Sequence, residues 1–96
     1  MQQRQSAKWM QQLDDRILEH LDDEPWSSPA VISSRTEFRA SKDRIRERCQ
    51  MLSFAGLIAP IHCNMYEITK WGELYLSGEI DAGHQPTPPQ KVVPRS

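Results

Sequence analysis

The sequence predicts an α+β domain that is mostly α: a three-helix core, a two-stranded hairpin and a closing C-terminal helix. Three observations predict it. Apolar residues recur at helical spacing in three stretches before residue 56. Two short alternating runs follow, parted by a turn at residues 62–64. A last helical stretch then runs from a threonine cap to a glycine stop. At 96 residues the chain holds one small domain. Residues 1–6 and 83–96 carry too few apolar side chains to offset the entropy of ordering. They are expected to be a disordered N-terminus and a disordered, proline-rich tail around a domain at 7–82.

The first helix is expected over residues 7–23. Trp9, Leu13, Ile17 and Leu21 recur every four residues, flanked by Met10, Leu18 and His20, with Asp14, Asp15 and Asp22 on the outer face. Pro25 ends it. Residues 24–27 read as a short extended piece. Ser28 and Pro29 then give a cap followed by proline at the first helical position. A second helix over 29–35 turns Val31 and Ile32 inward. Residues 36–40 are the turn, with Phe38 plugging the space beneath it.

The third helix, 41–55, is the best-marked element. Ser41 is its N-cap, Ile45, Cys49 and Leu52 share its apolar face, and Gly56 supplies a left-handed stop. Its opposite face carries Asp43, Arg46, Glu47 and Gln50, with Lys42 and Arg44 on the flanks and Phe54 further along. Strands at 57–61 and 65–69 follow. Pro60 cannot donate to a ladder and belongs at an edge, and Asn64 tolerates the positive φ of a tight turn. The last helix, 70–77, starts at Thr69 and stops at Gly78. It carries Trp71, Leu74 and Tyr75 on one side, and Gly72 marks a close backbone approach to the hairpin. Helix, short helix, turn and long helix make a helix-turn-helix, and the hairpin behind it is a wing.

The formal net charge of −1 hides an asymmetry. Six acids lie between Asp14 and Glu24 against Arg16 alone, and six bases lie between Arg35 and Arg48 against Glu37, Asp43 and Glu47. A local basic patch is expected. With two cysteines, no signal-like N-terminus and no long apolar run, the sequence reads as that of a cytoplasmic protein with reduced thiols. Cys49 belongs in the core. Cys63 falls in a turn beside His62, and without a second Cys-His pair no zinc site is expected. No glycine-rich phosphate loop, nucleophile elbow or His-Glu metal motif is present, so neither an enzyme, a cofactor nor a small-molecule substrate is expected.

An apolar back and a long polar front are what a helix needs to read double-stranded DNA. On that reading Ser41 caps the helix, and Lys42 and Arg44 flank its N-terminal end in the major groove. Arg46 and Gln50 reach base edges, and Asp43 and Glu47 accept from cytosine or orient the arginines. Arg35 and Arg39 hold phosphates beside the turn. Trp9, Leu13, Trp71 and Tyr75 offer more large apolar area than so small a core absorbs, and are the candidate homodimer interface. The competing reading is a protein-interaction adaptor in a transcription or replication assembly, favoured by Phe54 and by the acids on the recognition face.

Three segments resemble the small winged-helix proteins named after the repressor of halophage phi-H, common in haloarchaea and their viruses. They are Trp9-Met10 with Asp14-Asp15-Arg16-Ile17-Leu18-Glu19; Ser28-Pro29-x2-Ile32 with Arg48-Cys49-x2-Leu52-x3-Gly56-Leu57; and Tyr66-Glu67-Ile68-Thr69-x2-Gly72-x2-Tyr75-Leu76-x-Gly78 through Ala82. The resemblance implies transcriptional regulation, most simply repression, by sequence-selective DNA binding as a homodimer without a cofactor. Two departures stand out. The net charge is mild for a haloarchaeal protein, and the wing turn His62-Cys63-Asn64 is neither glycine-rich nor basic.

Overall fold

A computed structural model describes residues 3–35, 38–62 and 64–89. The helix-turn-helix is built from α1 (Gln12–Asp23), α2 (Pro29–Ser33) and α3 (Lys42–Phe54). The hairpin of β1 (Ile58–Ile61) and β2 (Met65–Ile68), then α4 (Lys70–Leu76) and a 3₁₀ turn (Ala82–His84), complete the chain. The architecture is the winged helix that the sequence predicts. Thr36 and Glu37 in the expected turn, and the expected wing-tip Cys63, lie outside the described residues.

Capping accounts for most of the helix boundaries. Ser28 Oγ accepts from Val31 N at 3.2 Å, Ser41 Oγ from Arg44 N at 3.1 Å, and Thr69 Oγ1 from Gly72 N at 3.2 Å. Each satisfies one donor that the first turn leaves without an intrahelical partner. The first helix departs from expectation and begins at Gln12, well after residue 7. Gln11 is the N-cap, and its backbone N–H donates to Asp14 Oδ2 at 2.9 Å. A separate turn precedes it, closed by Met10 N donating to Ala7 O at 3.1 Å. Trp9 and Met10 therefore pack on the core from a turn. The second helix is also shorter than expected, its last turn tightening into bonds such as Arg35 N to Ile32 O at 3.0 Å.

The core lies where the helices meet the wing. Ile17, Leu18 and Leu21 from α1, Ile32 from α2, Ile45, Cys49 and Leu52 from α3, and Leu57 and Ile58 at the head of the hairpin are all essentially inaccessible to solvent. Residues spaced by four advance 400°, so a stripe of that period drifts around the helix. The buried face of α1 accordingly runs through Asp14, Ile17, Leu18 and Leu21, leaving Leu13 half-buried at its edge. Asp14 thus corrects its expected place on the outer face.

The wing is antiparallel, with Ile58 opposite Ile68 and Pro60 opposite Tyr66. On its far side Tyr66 exchanges both backbone bonds with Ser27, at 2.7 and 3.0 Å. The 24–27 segment so adds a one-residue third strand, and Pro60 sits in a pair that needs no hydrogen bond between its members. Asn64 has φ +60°, as a tight turn demands, and Gly56 and Gly78 have φ +82° and +84° at their helix stops.

Parts of the flanks expected to be disordered are docked on the domain. Arg4 Nε donates to Leu76 O at 3.0 Å, Ala82 N donates to Gln5 O at 2.9 Å, and Ser6 Oγ lies 2.7 Å from Tyr75 Oη. Gln85 Nε2 donates to Ala55 O at 3.0 Å, and Pro88 is fully buried. Backbone bonds and long polar side chains hold these segments, which is why counting apolar residues missed them.

Candidate nucleic-acid interface

The back of α3 is fixed to the scaffold by more than apolar contact. Arg48 shares the face of Ile45 and Leu52 and points inward. Its Nε donates to Asp14 Oδ1 at 2.8 Å and its Nη2 to Asp14 Oδ2 at 2.6 Å, a two-pronged ion pair in the core between α1 and α3. Nη2 also donates to Trp9 O at 3.2 Å, and the guanidinium carbon stands 5.9 Å from the centroid of the Trp9 ring. The hydrogen bond to Asp14 outweighs desolvation and raises the Arg48 pKa. Sequence reasoning counted Arg48 in the surface basic patch. The structure removes it from that patch and makes it the clamp that sets α3 on α1.

Cys49, beside it, is buried as expected, and burial pushes its thiol up to about 12. It stays protonated and unreactive at neutral pH.

The front of α3 presents the remaining predicted residues. Lys42, Asp43, Arg44 and Gln50 are exposed, while Arg46 and Glu47 are half-buried. Arg46 Nη1 donates to Asp43 Oδ1 at 2.9 Å, so its charge is partly neutralised and its side chain is held along the helix. Arg44 donates through Nη2 to Gln11 Oε1 at the N-terminus of α1. Asp43, Arg46, Glu47 and Gln50 line one shallow groove along α3. Their grouping on one face is as the sequence predicts.

Two phosphate-holding candidates stand elsewhere. Arg39 is exposed in the connection before α3, with an unusual left-handed φ of +50°. Arg35 lies in a depression with Asp22, Asp23 and Glu24, its Nη2 4.0 Å from Glu24 Oε2. Neighbouring acids compete with any phosphate there.

The four proposed dimer residues also separate. Tyr75 is fully buried and hydrogen-bonded: its hydroxyl donates to Asp15 Oδ1 at 2.6 Å and meets Ser6, and burial raises its pKa. It belongs to the core and has no surface to offer a partner. Trp9 and Leu13 are half-buried, and Trp71 is 50% exposed. Trp26, in the extended piece before α2, is 55% exposed. His20 packs at the core edge, 5.8 Å edge-on from Phe38 and 3.0 Å from Ser27 Oγ. Among the described residues no cluster of His, Cys, Asp and Glu is placed to hold a metal, and no helix is long and apolar enough to cross a membrane.

A capped helix with a polar face outward, clamped from behind and followed by a two-stranded wing, defines the winged helix-turn-helix class. The chain belongs to the winged helix-turn-helix phage repressor family, whose model matches residues 1–85. It is similar to the PhiH1 repressor-like protein from Haloarcula marismortui, known from a crystal structure. The two share 40% identity and a TM-score of 0.86, over 91% of this chain and 99% of that one. A comparison with curated proteins found no match.

Proposed function

We propose that this protein is a DNA-binding transcriptional regulator, most simply a repressor, that reads the major groove with the front of α3. The observation that carries the reading is the polar row Asp43, Arg46, Glu47 and Gln50, facing outward from a helix whose back is clamped to α1. Arg46 and Gln50 contact base edges, arginine suiting guanine and glutamine adenine. Asp43 orients Arg46 and disfavours wrong bases by repulsion, with Glu47 beside it. Ser41, Lys42 and Arg44 approach the backbone at the N-terminal end, and Arg39 reaches a phosphate. Arg35 contributes less, because Glu24 lies beside it.

Two protomers in the cytoplasm would read half-sites about 34 Å apart. Trp71 is the most exposed aromatic residue of the proposed dimer face, with Trp9 and Leu13 at its border. Bound over a promoter, the dimer blocks polymerase without a cofactor or a catalytic step.

The test is selection of bound fragments from the source genome, followed by affinity measured against salt. Log K is expected to fall steeply as several phosphate contacts release counterions. Arg46→Ala should weaken the selected site more than random DNA. Absence of binding even at low salt would sink the reading. It would favour the adaptor alternative, which is supported by Phe54 standing 54% exposed on the same face.

A further inference from the structure

The recognition face of α3 is not bare. Beyond the 3₁₀ turn the chain passes the end of that helix, where Gln85 Nε2 donates to Ala55 O at 3.0 Å. It then continues as Pro86-Thr87-Pro88-Pro89 without regular structure. Pro88 is fully buried, a level unusual for proline in a tail, and Pro89 is exposed beside it. Pro88 and Pro89 line the same groove as Arg46, Gln50, Met51 and Phe54. The groove is therefore bounded by the tail as well as by the helix.

The chemistry of the two surfaces matches. Proline fixes its own φ near the extended value and has no backbone N–H to leave unpaired, so a proline-rich segment docks at low entropic cost. Aromatic side chains are what such segments dock against, and Phe54 supplies one, with Met51 beside it in the groove. Phe54, 54% exposed, keeps an apolar surface open on the groove that the tail borders.

We propose that the tail at Pro88-Pro89 forms a self-docked strap along the edge of the recognition face, which DNA must displace before α3 can seat. The proposal rests on α3 being the DNA-reading helix. Its basis is spatial. The major groove is about 12 Å wide, and a helix with its side chains is about 10–12 Å across. No room remains for a second stretch of chain walling the groove that Arg46 and Gln50 line. Strap and DNA are alternatives, and the apparent affinity falls by the fraction of molecules whose strap is lifted.

The experiment uses full-length protein and the duplex selected by the wild-type chain. Pro88→Gly with Pro89→Gly loosens the strap from one side, and Phe54→Ala from the other. Both variants are expected to bind roughly three- to tenfold more tightly at an unchanged salt slope. Thermal melting checks that each remains folded. Without DNA, amide NMR signals of Arg46, Gln50 and Phe54 should shift in the proline variant.

Equal affinities across the three proteins would overturn the proposal. So would weaker binding with a shallower salt slope, the signature of a tail that contacts DNA. Unmoved amide signals would show that the strap is not seated on α3. If no protein binds DNA although the signals move, the DNA reading has failed and the gate fails with it, while the contact itself stands.

Discussion

Among the described residues Arg48 and Asp14 are the two charged side chains that the core encloses, and each depends on the other. Removing one partner leaves a buried charge without compensation, a loss of about 3–5 kcal/mol. Arg48→Ala should therefore lower the unfolding free energy by about that amount, read from urea titrations. Arg48→Met combined with Asp14→Leu should cost much less than the sum of the single changes, because no charge is stranded. The pair was legible in principle. Arg48 falls three residues after Ile45 and four before Leu52, and Asp14 falls three before Ile17 and four before Leu18, so both stand at inward positions with opposite signs. The habit of assigning charge to the surface concealed it.

Two further buried groups give the molecule an alkaline limit. Burial raises the pKa of the Cys49 thiol from its ordinary 9.0 to about 12 and raises that of the Tyr75 hydroxyl as well. Both acids hold their protons more tightly folded than unfolded. Their contribution to stability is complete below about pH 9 and is lost as pH rises toward the folded values. The urea midpoint should thus be level through neutral pH and fall above about pH 9. Cys49→Ala, which removes one of the two ionisations, should make that fall shallower. An unchanged alkaline slope in this variant would refute the role given to the thiol.

Among the elements, α3 and α4 were the most readable, because short-range chemistry sets their ends. The serine and threonine caps and the positive-φ glycines act within four residues, so their meaning survives in one dimension. Gly72 belongs to the same group for a different reason. A Cβ there would run into the Leu57 carbonyl oxygen and stand 2.6 Å from Ile68 Cγ1. Gly72→Ala would gain about 1 kcal/mol in helix propensity but should lose more to this overlap, for a net destabilisation of about 1–3 kcal/mol. A rise in melting temperature would show that α4 can move off the wing. Thr69 joins the same two elements, since its hydroxyl donates to Gly56 O at 2.6 Å while capping α4. Thr69→Val should cost about 1–2 kcal/mol by losing both bonds. The start of α1 was less readable: Trp9 and Met10 continue an apolar pattern that the chain uses in a turn, and only the Gln11–Asp14 contact separates the two.

At the scale of the whole molecule, the fold class was legible because its element order is carried by local signals. Contacts distant in sequence were not. Nothing near Arg4 announces the carbonyl of Leu76 or the carboxylate of Glu19, which it reaches at 2.6 Å. Nothing near Pro88 announces the groove beside α3. The candidate site divides along the same line: the polar row on α3 follows from helical periodicity, whereas the positions of Arg35 and Tyr75 depend on which other elements lie against them. A dimer built on Trp71 should show in sedimentation velocity as a concentration-dependent species that Trp71→Ala reduces to monomer. If the variant sediments like the wild type, the interface lies elsewhere, with Trp26 as the next exposed aromatic to change.

Pro60 has a consequence for the protein at high concentration. Because Tyr66 spends its backbone bonds on Ser27, the backbone groups of Pro60 point away from β2, toward the side of β1 where no described strand lies. An open strand edge normally invites another chain to add to it, the first step of ordered aggregation. Here the edge lacks an amide hydrogen near its centre, and an incoming strand would find a missing bond and a ring in its way. Pro60→Val should leave the monomer folded yet shorten its lifetime before visible aggregation, as light scattering would report. The same residue that caps the strength of the wing keeps it from becoming a template.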